Sequence, residues 1–291
     1  MHLSAVAPPW TVPLTDGEHA LIEYGSGLAM LALVAMLTRM WSARREVGDR
    51  YRPAVHAGVA ISAVAALAYL LLALELHAGY HRVHGLWVPG PEAIGTWTAR
   101  YLDWTISVPL LVVEVIALSA VTGRRASTAR IIGCTAAVVM VLLGFLGAVV
   151  IRGGVDFTTL LLLGLASSLC FLVVVAVLLL VVFRTLAVLP VAARGALRAA
   201  LIVLLADWFV YPVVYGLQGV VSGGGWTVTE HLLLSAADVV SKVLCGLLLL
   251  RVARIRTAED VLSADDVHPE SIWIDQQRLS EGASRPVRSK P

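Results

Sequence analysis

Apolar residues run through this chain in seven long blocks, each near the roughly 20 residues that an α-helix needs to cross a bilayer. Their approximate bounds are 18–41, 53–77, 96–121, 128–151, 157–184, 195–219 and 227–254. Short breaks with turn chemistry or charge separate them: Gly48-Asp49, Pro89-Gly90-Pro91, Gly123-Arg124-Arg125, Gly153-Gly154, Pro190 and Gly223-Gly224-Gly225. No internal repeat of fixed period is visible. The pattern predicts an all-α membrane protein, a bundle of seven transmembrane helices over 18–254. Residues 1–17 form a segment before it and residues 255–291 a tail after it.

Composition agrees with that reading. With 58% hydrophobic residues and only 14% charged, an ordinary soluble domain is excluded. The net charge of +2 is small, and no nucleic-acid partner is expected. Arginine placement is more informative. Arg39, Arg44, Arg45, Arg50 and Arg52 gather in the first connection. Arg124, Arg125 and Arg130 fall in the third, Arg184, Arg194 and Arg198 in the fifth, and Arg251, Arg254 and Arg256 follow the last block. The other side has Arg82 and Arg152, plus Arg100 just inside the third helix. The N-terminus is therefore expected outside and the C-terminus in the cytoplasm of a multi-pass cell-membrane protein. The tail from 257 has seven acidic and four basic residues and one apolar patch, Ile272-Trp273-Ile274, and is expected to be largely disordered. Cys134, Cys170 and Cys245 sit in apolar segments and imply no disulfide framework. His77, His81 and His84 lack regular ligand spacing, so no metal site is expected.

The last block carries Asp238 and Lys242 in its middle. Four residues apart on a helix, the two side chains can meet. Lys242 is one of only two lysines in the chain, the other being Lys290. An ionisable residue in hydrocarbon is costly unless paired or facing a cavity, and is a functional candidate by default. In the third block, Asp103, Ser107, Leu111 and Glu114 fall within an arc of about 80° on a helix. Asp103 and Glu114 are about 16 Å apart along the axis. Arg100 lies a turn outward from Asp103. Carboxylates at successive depths are what a proton relay needs. In the sixth block Trp208, Tyr211 and Tyr215 share a face, and Pro212 predicts a kink or hinge.

Arg-Tyr-x-Asp-Trp-x-x-Ser-x-Pro-Leu from Arg100, Trp-x-x-Tyr-Pro from Trp208 and Asp-x-x-x-Lys from Asp238 occur in order on helices three, six and seven. Together they resemble the microbial (type 1) rhodopsins, and within these the bacteriorhodopsin- and proteorhodopsin-like proton pumps. The resemblance covers roughly residues 18–254. It implies all-trans retinal bound to Lys242 as a protonated Schiff base, with Asp103 and Asp238 as counterions. Asp103 matches the primary proton acceptor, Ser107 the hydroxyl one turn away, Glu114 the cytoplasmic donor and Arg100 the mobile outward-side arginine. Glu230 matches one carboxylate of the proton-release group, whose second acid is missing. Retinal packing is implied for Trp104, Leu111, Met140, Gly144, Ser167, Phe171, Trp208, Tyr211, Tyr215 and Ser241. Leu111 sits where proteorhodopsins tune colour, leucine implying green absorption, while Ser241 pulls the other way.

Departures are also visible. Ala68, before Tyr69, stands where proteorhodopsins place a histidine that bonds the counterion. Asp207 is an unusual carboxylate next to Trp208, able to pair with a neighbouring helix or to belong to a modified proton path. Gly164 falls where some pumps open a side window for a carotenoid antenna, although a small residue for helix packing explains it equally well. The resemblance implies a light-driven outward proton pump rather than an enzyme, in a homo-oligomer such as a trimer or pentamer. The alternative is a slow-photocycle sensory rhodopsin that signals to a cytoplasmic or membrane partner through residues 257–291. The Asp/Ser/Glu set disfavours sodium and chloride pumping.

Overall fold

The computed structural model describes residues 7–262 and the backbone of 273–274 and 277–278. Helix α1 spans Asp16–Ala43, α2 Arg52–Gly79, α3 Gly95–Ala117, α4 Gly123–Phe145 and α5 Phe157–Leu186. The sixth span is divided into α6 (Val191–Trp208) and α7 (Val210–Gln218), and the seventh into α8 (Gly224–Val239) and α9 (Cys245–Leu262). Each span packs on its neighbours in sequence, and α8 returns against α1, so the seven spans close into a ring. Six of them are long and apolar enough to cross a membrane among the described residues. The exception is α3, whose apolar run is interrupted by Arg100, Asp103 and Glu114. Leu28, Leu31, Leu67, Leu74, Leu169 and Phe183 point outward, as a lipid-facing surface requires.

Local chemistry sets the helix ends. Thr15 opens α1 with a capping box: Glu18 N–H donates to Thr15 Oγ1 at 3.3 Å, and Thr15 N–H donates to Glu18 Oε2 at 2.8 Å. Asp156 precedes α5 and accepts from Thr159 Oγ1 at 2.6 Å, a bond that holds its carboxyl below the usual range. Pro212 offers no N–H to the turn before it, and the sixth span breaks at Phe209. The seventh span widens into a π turn over Val240–Leu244, which carries Ser241 and Lys242. Such bulges in helices occur often at functional sites.

Several boundaries differ from the sequence expectation. Helix α3 ends at Ala117 rather than 121, because Ser119 Oγ bonds the Ile116 carbonyl at 2.7 Å and Ala120 N–H donates to Thr185 Oγ1 at 3.0 Å. The seventh span was expected to end at 254 with a largely disordered tail after it, yet α9 is regular to Leu262. The first connection holds this extension. Gly48 N–H donates to Thr257 Oγ1 at 3.0 Å, Tyr51 Oη to Asp260 Oδ2 at 2.6 Å, and Arg256 to the Leu118 carbonyl at 2.5 Å. Arg254 pairs with Glu46, which also meets Arg39 at 3.3 Å. Two-residue strands Trp273–Ile274 and Gln277–Arg278 pair antiparallel, while Ile272 and the rest of the tail lie outside the described residues.

The second connection forms a hairpin, β1 (Tyr80–Val83) against β2 (Leu86–Pro89). His84 and Gly85 at its tip take positive φ of 50° and 83°, which gives the tight turn. Trp87 from this hairpin stacks on buried His19 with ring centroids 4.0 Å apart. His77, His81 and His84 are exposed. Trp10, in a short helical turn at Pro9–Thr11, packs on Trp97 and closes this end of the bundle.

Candidate functional site

Two helices supply the partners of Lys242. Its Nζ forms an ion pair with Asp103 of α3 and donates to Asp238 Oδ1 of α8 at 2.9 Å, with all three side chains buried. The i, i+4 spacing supplies the second contact, as the sequence predicts. The first is tertiary, made by packing α3 inside the ring.

The two carboxylates are held differently. Asp238 Oδ1 also accepts from Trp104 Nε1 and Tyr211 Oη, each at 3.0 Å. Its Oδ2 accepts from Tyr69 Oη at 2.9 Å and lies 3.6 Å from Arg100 Nη1. Asp103 has Lys242 on Oδ2. The Ser107 side chain lies beside Asp103 and interacts with it. Asp238 accepts from four donors, whereas Asp103 has only Lys242 and Ser107 beside it.

Arg100 ties this centre to one end of the bundle. It donates to Tyr69 Oη at 3.2 Å, to the His231 carbonyl at 3.2 Å and to Ser235 Oγ at 3.1 Å, and meets His231 Nδ1 at 3.2 Å. Because Arg100 can only donate, that His231 nitrogen acts as acceptor. Glu230 is 0% exposed in this region, and neither of its oxygens has a partner. At the opposite end Glu114, also buried, faces Met40 and Gly58: a Cβ on Gly58 would sit 3.1 Å from Glu114 Oε1.

A cavity of about 370 Å³ reaches Lys242 from the side. Trp104, Leu111, Met140, Gly144, Gly164, Ser167, Phe171, Trp208, Tyr211, Tyr215 and Ser241 line it. Its size falls in the ~300–1,000 Å³ range of small-molecule sites, and its walls are mostly apolar and aromatic. A long apolar group ending at Lys242 Nζ fits these residues. Gly144 lets the ring of Tyr101 approach, its Cε1 lying 3.5 Å from where a Cβ would be. At Gly164 the same position is 2.5 Å from Tyr215 Cε1, so the glycine is required by packing against Tyr215.

Three residues of the site were missed in the sequence. Tyr69 bridges Arg100 and Asp238. His231 and Ser235 bind Arg100. Glu230-His231 inside an apolar block was the available signal for the histidine. For Tyr69 and Ser235 there was none, since a tyrosine or serine in a span is ordinary.

Comparison with known proteins gives this geometry a family. Residues 18–255 match the family described as bacteriorhodopsin-like protein. A bacteriorhodopsin-II-like protein of Haloquadratum walsbyi is 30% identical over an alignment of 223 residues that covers 72% of this chain and 78% of that protein. The crystal structure of a thermophilic rhodopsin superposes with a TM-score of 0.78 at 27% identity, covering 86% of this chain and 98% of its own. Xanthorhodopsin, a light-driven ion pump with dual chromophore, gives 0.75 at 23% identity, again over 86% and 98%. The chain belongs to the bacteriorhodopsin-like family of microbial rhodopsins, multi-pass integral proteins of the cell membrane whose chromophore is retinal.

Proposed function

We propose that this protein is a light-driven outward proton pump with all-trans retinal bound to Lys242. The observation that carries this reading is the asymmetry of the two carboxylates at Lys242, together with a third acid, Glu114, buried at the other end of α3. Retinal supplies the absorption of light and a change in the direction faced by the Lys242 nitrogen. The chain's own residues do the rest. Asp103 takes the proton from that nitrogen, because it accepts fewer hydrogen bonds than Asp238 and loses fewer on protonation. Asp238 stays the fixed counterion: a proton on it would cost the hydrogen bonds it accepts from Trp104, Tyr211 and Tyr69. Glu114 returns a proton to the nitrogen from the cytoplasmic side, which the arginine bias assigns to the α3 C-terminal end. Arg100, Glu230 and His231 carry the released charge toward the outside. His231 occupies the region where a second release acid is lacking.

Trp104, Trp208, Tyr211 and Tyr215 hold the chromophore and exclude water, which strengthens each charge interaction at Lys242. Gly164 is filled by Tyr215 packing, so no antenna is included in this reading.

Cells or vesicles containing the pigment should acidify the outer medium in light, and a protonophore should abolish the signal. A coloured, folded protein without any light-dependent pH change would overturn the pump reading. Lys242→Ala should be colourless, and a pigment surviving that change contradicts the assignment of the attachment site. The regular extension of α9 to Leu262 gives a sensory role a physical conduit. That role predicts a deprotonated state lasting seconds and negligible sustained transport.

A further inference from the structure

Asp207 is a fourth carboxylate of the central region, and the mechanism above does not use it. It lies at the end of α6, beside Trp208, and is buried, with 9% of its surface exposed. Its Oδ2 has no hydrogen-bond partner. On an apolar span an unpaired, buried carboxyl is expensive and marks a functional position. The surroundings indicate what that position is. Asp207 faces the seventh span at the π turn, where it interacts with the Ser241 side chain and, electrostatically, with Lys242 and Asp238. Tyr211, on the following turn of its own span, is also within electrostatic reach.

The order along the seventh span separates Asp207 from the counterions. Ser241 is three residues past Asp238, about 4.5 Å further along the axis toward the Glu114 end. Cys245, one more turn in that direction, is fully buried and interacts electrostatically with both Asp207 and Glu114. Asp103 and Asp238 therefore hold Lys242 Nζ from one side. Asp207, Ser241 and Cys245 lie between that nitrogen's neighbourhood and Glu114. The π turn widens the helix at Ser241 and Lys242, where the sixth span packs against it.

We propose that Asp207 is an internal relay acid between Glu114 and the Lys242 nitrogen. The inference rests on the proton-return step of the reading above. The Asp207 carboxyl gives its proton to the unprotonated Lys242 nitrogen and becomes a carboxylate. Glu114 then returns a proton to Asp207, and the cytoplasmic medium restores Glu114. Ser241 donates its own proton to the Ala237 carbonyl, so its Oγ beside the Asp207 carboxyl can only accept, and it takes the hydrogen bond of the protonated acid. Two short transfers replace one long one across the half-span between Glu114 and the centre.

The test combines flash kinetics of the pigment with infrared spectra of the retinal-free protein. Asp207→Asn keeps the shape and removes the proton. It should slow recovery of the deprotonated state by about a hundredfold, the low end of what a positioned proton donor contributes. That recovery should also become dependent on the pH of the medium on the cytoplasmic side. Asp207→Glu, which retains an acid, should restore most of the rate. In the retinal-free protein, one protonated-carboxyl C=O band should be absent from Asp207→Asn and present in Asp207→Glu. Wild-type recovery in Asp207→Asn overturns the proposal. Equal impairment in Asn and Glu variants, or an unchanged C=O region, assigns Asp207 a packing role and also overturns it. The pump reading fails by a different result: wild-type vesicles with no light-driven pH change. In that case slowed recovery in Asp207→Asn still establishes the relay within a non-transporting photocycle.

Discussion

Trp104 donates its indole N–H to Asp238 Oδ1 at 3.0 Å, tying the wall of the cavity to the carboxylate that pairs with Lys242. One side chain thus shapes the cavity and holds the Asp238 carboxylate. Trp104→Phe preserves most of the apolar wall and removes the donor. The loss of a hydrogen bond to a charged group should cost about 1.5–3 kcal/mol. Denaturant titration of the retinal-free protein, followed by circular dichroism, measures it. An unchanged midpoint would mean that Tyr69, Tyr211 and Lys242 already satisfy Asp238 without the indole.

Glu114 is the only acid at its depth of α3, next to Met40 and Gly58. In Glu114→Gln the proton must come from the medium, so return to the initial state should slow about tenfold for each unit of pH increase. Flash absorbance over pH 6–9 reads this slope directly. Flat kinetics across that range would remove Glu114 from the donor role.

At Gly164 an added methyl would meet the ring of Tyr215, which is also held by a 3.1 Å hydrogen bond to the Leu160 carbonyl. Because an aromatic ring cannot bend away, Gly164→Ala should cost about 1–3 kcal/mol through overpacking. It should also alter the cavity that Tyr215 lines. Lower pigment yield with retinal and a reduced melting temperature are the expected readouts. A variant as stable as the parent would show that the glycine serves some purpose other than fit.

The clamp between the first connection and α9 has a pH signature. Burial first, then its hydrogen bond to Asp260, pushes the Tyr51 hydroxyl up to about 12. The folded state therefore keeps this proton where the unfolded chain, near its ordinary value of about 10, has lost it. Stability from Tyr51 is complete below pH ~10 and is lost as pH rises through about 12. Tyr51→Phe should flatten the fall in melting temperature across that window. It should not remove the fall entirely, since burial raises Tyr80 to about 12 as well.

Much of this molecule is written in local sequence. Seven apolar blocks specify seven spans, because a helix is the only simple way to satisfy backbone polar groups in lipid. Asp238 and Lys242 meet because four residues make about one turn, and Trp208, Tyr211 and Tyr215 line one cavity for the same reason. Pro212 marks the break in the sixth span through its missing N–H.

Other features depended on which helices became neighbours, and no local pattern contains that information. The sequence does not distinguish Tyr69 from any other tyrosine in a span; packing α2 against α3 and α8 makes it a bridge between Arg100 and Asp238. Asp207 was visible as an odd carboxylate, but only the approach of α6 to the π turn placed it at Ser241. The extension of α9 to Leu262 was hidden because its polar residues resemble a solvated tail until Gly48 and Tyr51 supply partners. The sequence by itself determined the seven-helix bundle, the Asp238–Lys242 pair and the line of acids along α3. Tertiary structure decided that Asp238 gathers donors from three other side chains besides Lys242 while Asp103 does not, because hydrogen bonds to a buried carboxylate come from whichever spans surround it.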